Sequence, residues 1–80
     1  MKYKTKGVCS QMIDIEMDGD IVKSVSFTGG CHGNLQGIGK LVEGMKKEDV
    51  IAKLEGIRCG YKATSCPDQL AQALKQALHA

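Results

Sequence analysis

The sequence predicts an α+β domain of two layers, a three-stranded antiparallel β-meander followed by three helices packed on one face. Three observations predict it. Apolar residues alternate with period two as far as Thr28. An Asp18-Gly19-Asp20 turn joins two of the alternating runs. From Leu35 onward the apolar period becomes helical. At 80 residues the chain is one domain, residues 1–80, and 42% apolar with 25% charged residues is a folding balance rather than a disordered one. No apolar run is long enough to cross a bilayer. The lysine-rich start is not followed by an apolar stretch, so no secretory signal is expected and the cytoplasm is the expected compartment. A net charge of +2, one Phe, two Tyr and no Trp speak against nucleic acid as a partner.

Met1 to Val8 alternates Lys2, Lys4 and Lys6 with Tyr3, Thr5 and Gly7, the pattern of a strand with one solvated face. Its lysines read as protection of an exposed sheet edge. Gln11 to Met17 sets Ile13, Ile15 and Met17 against Asp14 and Glu16, a half-buried strand. Ile21 to Thr28 places Ile21, Val25 and Phe27 on one face, with Lys23 as the exception. Gly29 to Asn34 interrupts the strands. The helical stripe Leu35, Ile38, Leu41, Val42 and Met45 follows, ended by Gly44. Gly37 and Gly39 interrupt that helix and read as points of close backbone packing. Lys47 to Glu55 is a second, short helix burying Val50, Ile51 and Leu54, stopped by Gly56. Arg58 to Ser65 is a loop. The last helix opens with Ser65 or Cys66 as cap, Pro67 in the first turn and Asp68 at the positive helix end. Its stripe is Leu70, Ala73, Leu74, Ala77 and Leu78.

All four cysteines, Cys9, Cys31, Cys59 and Cys66, fall in turns or at element ends. In a meander the first and third strands run in the same direction, so Cys9 and Cys31 belong at one end of the sheet. Cys31 and Cys66 each open a helix, where thiolates are favoured. A domain this small benefits from a staple, and a tetrahedral thiolate site for Zn²⁺ suits four such cysteines. Four thiolates and one Zn²⁺ bring the +2 chain to neutrality. A second chemistry is a dithiol pair, Cys59 with Cys66, that exchanges disulfides with a partner. The competing structural reading makes some cysteines small buried hydrophobes. His32 reads as a loop histidine, and the glycines around Cys31 read as a tight strand-to-helix turn rather than a phosphate cradle, since they lack the P-loop and dinucleotide spacings. No catalytic triad or paired carboxylate emerges, and nucleotide binding has no motif behind it.

Thr64-Ser65-Cys66-Pro67-Asp68 resembles the signature of the TSCPD-domain family. The run Gly29-Gly30-Cys31-His32-Gly33-Asn34-Leu35-Gln36-Gly37 is also similar to small stand-alone members of that family. A similar domain forms the C-terminal region of vitamin B12-dependent ribonucleotide reductases. The resemblance therefore implies a link to deoxyribonucleotide synthesis and to a ribonucleotide reductase, or another cytosolic protein, as partner. Eighty residues do not hold the catalytic barrel, cobalamin site and radical cysteine of that enzyme. The implied role is an accessory module. A more distant resemblance is to iron–sulfur cluster scaffold proteins, whose three ligand cysteines Cys9, Cys31 and Cys66 match by position. Ser10-Gln11 stand where the scaffold has an aspartate, and Ser65 stands where it has a histidine. Cys59 is additional and supplies a fourth ligand. The expected site is thus Cys9, Cys31, Cys59 and Cys66 around zinc, with an iron–sulfur cluster or Cys59/Cys66 redox chemistry as alternatives.

Overall fold

The computed structural model describes residues 2–8, 10–30 and 32–78, with the side chains of 10, 32, 77 and 78 excepted. Strands β1 (Lys2–Lys4), β2 (Ser10–Asp18) and β3 (Ile21–Gly29) are followed by helices α1 (His32–Val42), α2 (Lys47–Leu54) and α3 (Cys66–Leu78). The sheet order is β1-β2-β3 with both pairs antiparallel, so the α+β meander is as predicted.

Alternation along β2 sorts the faces. Ile13 and Ile15 are buried, while Met12, Asp14 and Glu16 are exposed. The connection to β3 is a two-residue loop, because Asp18 pairs with Ile21. Gly19 takes φ of 63° there, a conformation that favours glycine and suits hairpin twist.

Three sequence expectations change. The first strand is shorter than Met1 to Val8, because ladder pairing ends at Lys4↔Met12. The first helix begins before Leu35, at His32, and ends at Val42, leaving Met45 in the connection. In β3 Val25 and Phe27 pack against the core as expected, opposite Ile15 and Ile13, but Val22 takes the inward place expected of Ile21. Glu16 pairs with Ser24 but Met17 pairs with Val22, so Lys23 is left over as a bulge. The bulge reverses the side-chain alternation. Val22 is fully buried, Ile21 only half-buried, and Lys23 stays in solvent. The same device explains why a lysine interrupted the apolar pattern.

The core is formed by Ile13, Ile15 and Val22 of the sheet with Val42, Val50, Ile51, Leu70, Ala73 and Leu74 of the helices. Burying each large aliphatic side chain contributes roughly 1.5–3 kcal/mol. Residues 44–47 run along the outer edge of β3, with Val22 N–H donating to the Met45 carbonyl and Gly44 N–H to the Val22 carbonyl, both at 2.8 Å. Helix α1 continues that cover. A Cβ on Gly39 would stand 2.7 Å from the Val25 carbonyl oxygen, so only glycine allows helix and strand to approach this closely. Gly37, expected to do the same, has open space around it.

Candidate functional site

The segment Thr64–Asp68 is a clamp, and its residue types follow from its bonds. Ser65 is the N-cap of α3. Its Oγ accepts from the Asp68 N–H at 3.1 Å, and its carbonyl accepts the first helical bond from the Gln69 N–H at 2.8 Å. The same hydroxyl donates to the Ile57 carbonyl at 2.6 Å. The Asp68 carboxylate accepts from the Gly56 N–H at 2.8 Å and from the Thr64 hydroxyl. The Cys59 N–H donates to the Thr64 carbonyl at 3.2 Å. Three links, 56 to 68, 57 to 65 and 59 to 64, therefore hold the loop carrying Cys59 against the helix start carrying Cys66.

Gln69 extends the clamp to the chain leaving β1. Its Oε1 accepts from the Lys6 N–H at 3.1 Å, and its Nε2 donates to Thr64 Oγ1 at 3.0 Å. Ser65, Asp68 and Gln69 are all buried, and among the described residues no buried side-chain polar atom lacks a partner. Burial pushes the Asp68 carboxyl upward, but hydrogen bonds from Thr64, the Gly56 N–H and Gln72, with the nearby Lys75 charge, outweigh it. The net result holds Asp68 below the ordinary carboxylate range.

Next to this clamp lies a cavity of about 250 Å³. Val8, Leu35, Ile38 and Pro67 give it apolar walls, with Asn34, Lys62, Cys59 and Cys66 also lining it. Cys59 is exposed and Cys66 half-buried. Of the predicted ligands, the structure thus brings Cys59 and Cys66 to one cavity. Cys9 and Cys31 lie outside the described residues, as does the side chain of His32. Among the described residues no group of three or more His, Cys, Asp or Glu is placed to hold a metal. Sequence reasoning missed Lys62. The signal available was its position between the two cysteines in a turn, where its N–H donates to the Cys59 carbonyl at 3.1 Å.

The predicted cap therefore resolves to Ser65, and the motif residues around Cys66 are accounted for by folding. Thr64, Ser65 and Asp68 bind the loop, and Pro67 occupies the first helical turn, where its missing N–H is harmless. No described helix is long and apolar enough to cross a membrane. Neither curated proteins nor solved structures provide a match. A family model described as the TSCPD domain matches residues 1–78, so the chain belongs to the TSCPD-domain family.

Proposed function

We propose that this chain is a cysteine-based metal-binding accessory module, with Cys9, Cys31, Cys59 and Cys66 as ligands and zinc as the metal. One observation carries the reading: Cys59 and Cys66 line the same cavity as Val8 and Asn34. Val8 immediately precedes Cys9, and Asn34 follows Cys31 by three residues. Ser10 and Gly29, on the other sides of those two cysteines, are register partners in the sheet. The donor chemistry fits the group. The two thiols lining the cavity are soft sulfur donors of the kind that zinc takes. Zinc held there would tie the sheet end to the loop and the last helix, which supplies folding free energy. Family membership supports association with a ribonucleotide reductase, whose C-terminal domain this family resembles.

The test is elemental analysis with native mass spectrometry of freshly purified protein. One zinc per chain, lost in Cys66→Ser, is the expected result. Metal-free protein with all cysteines reduced overturns the reading, and iron with acid-labile sulfide replaces it with an iron–sulfur cluster on the same cysteines.

A second reading is favoured by the shared cavity of Cys59 and Cys66 with Lys62 between them in sequence. In it, the two thiols become a disulfide while a partner disulfide becomes two thiols, so two electrons and two protons pass to the partner. It predicts a reversible mass loss of two hydrogens on oxidation, absent in Cys59→Ser.

A further inference from the structure

We infer that the groove between α1 and α2 docks an amphipathic helix of a partner protein whose apolar stripe is flanked by carboxylates. A cavity of about 160 Å³ opens in this groove, walled by Ile38, Leu41, Met45, Val50 and Leu54. Leu41 stands at its lip with 78% of its surface exposed, although it sits near the end of a helix whose next residue, Val42, is buried. Leu41 extends the cavity's apolar lining into solvent as one contiguous apolar patch, the kind of surface that interaction sites use.

Charge and geometry select the occupant. Lys53 is the only ionisable residue among the described lining of this cavity. The cysteine cavity shares Ile38 with it, and there Lys62 is the only lysine, arginine or carboxylate among the described lining. The described linings of the two cavities thus carry two lysines and no carboxylate, so acidic flanks complement them. Asn34 of the first cavity and Leu41 of the second are about 10 Å apart along the helix axis at 1.5 Å per residue. That distance is the spacing of residues i and i+7 on a partner helix. Gly37, one turn before Leu41, has nothing within 4 Å of the position a Cβ would take, so a second helix can approach its backbone. The inference goes beyond the metal reading, although Asn34 and Lys62 belong to the rim of the same cavity.

The test uses isotope-labelled full chain and two synthetic helical peptides with leucines at i, i+3 and i+7, one flanked by glutamates and one by lysines. The glutamate peptide is expected to shift backbone amide signals in α1 and α2 and to bind about five-fold or more tightly than the lysine peptide at low salt. Lys53→Glu should narrow that preference. Leu41→Glu should abolish binding while keeping the fold, since this side chain is mostly in solvent. The proposal is overturned if neither peptide shifts those signals, if both bind equally, or if Leu41→Glu binds like the parent. It is also overturned if sedimentation finds the parent dimeric and Leu41→Glu monomeric, because a second copy is then the occupant.

Discussion

Replacing Asp68 by asparagine tests whether the motif works as a clamp. Asp68 is 6% exposed, and its carboxylate accepts from the Gly56 N–H at 2.8 Å, from the Thr64 hydroxyl and from Gln72 at 3.5 Å. An asparagine oxygen can keep the Gly56 bond, now without charge assistance. Its amide NH₂ then faces a hydroxyl that was donating, and Thr64 Oγ1 already accepts from Gln69. One good bond is weakened and a second is lost, which costs about 2 kcal/mol at neutral pH. In an 80-residue domain that lowers Tm by about 10 °C. The effect has a pH signature. The folded pKa of Asp68 lies below its ordinary value of 3.8, so the parent's extra stability is fully present above that value and is lost as pH falls through the folded pKa. The gap between parent and Asp68→Asn should therefore shrink in acid. Urea titrations at pH 7 and at successively lower pH measure it. A gap under about 0.5 kcal/mol at pH 7, within the range of ordinary surface substitutions, or one unchanged in acid, refutes the clamp.

Two glycines of α1 should respond with opposite signs. Gly37→Ala relieves a helix-interior glycine without a clash and should stabilise by about 1 kcal/mol. Gly39→Ala drives a methyl into the Val25 carbonyl and should destabilise by about 1–3 kcal/mol, both read by thermal melts. Ser65→Ala loses the cap of α3 and the bond to Ile57 together, an expected loss of about 1–2 kcal/mol, and should speed alkylation of Cys59 as its loop loosens. Glu55→Gln removes the ion pair with Lys75, but both side chains are substantially exposed, so denaturant midpoints should barely move. If the cysteines hold zinc, a strong chelator should lower Tm sharply, and a protein equally stable with chelator refutes a structural metal.

Local chemistry was readable from residues alone wherever neighbours in sequence decide the outcome. Period-two alternation in 11–17, the glycine turn at 19, the Ser65 cap and the stripe of Leu70, Ala73 and Leu74 follow from local pattern, while the side chains of Ala77 and Leu78 lie outside the described residues. The family signature at 64–68 and the place of Cys66 at the start of α3 were legible for the same reason. The site was only half legible. The link between Cys59 and Cys66 runs through Gly56, Ile57 and Thr64, and a loop carries no periodicity that announces such contacts.

What the sequence by itself determined is the α+β class, the order of elements and the capping chemistry. Tertiary structure alone decided three things. It chose Val22 over Ile21 for the core, because an unpaired Lys23 shifts the register and reverses the faces. It separated Gly39 from Gly37, because a missing Cβ matters only where another backbone stands in its place. It joined Val8, Asn34, Cys59 and Cys66 around one cavity, because residues far apart in the chain meet only when β1, α1 and α3 are pinned to one another by side chains such as Gln69 and by the shared core.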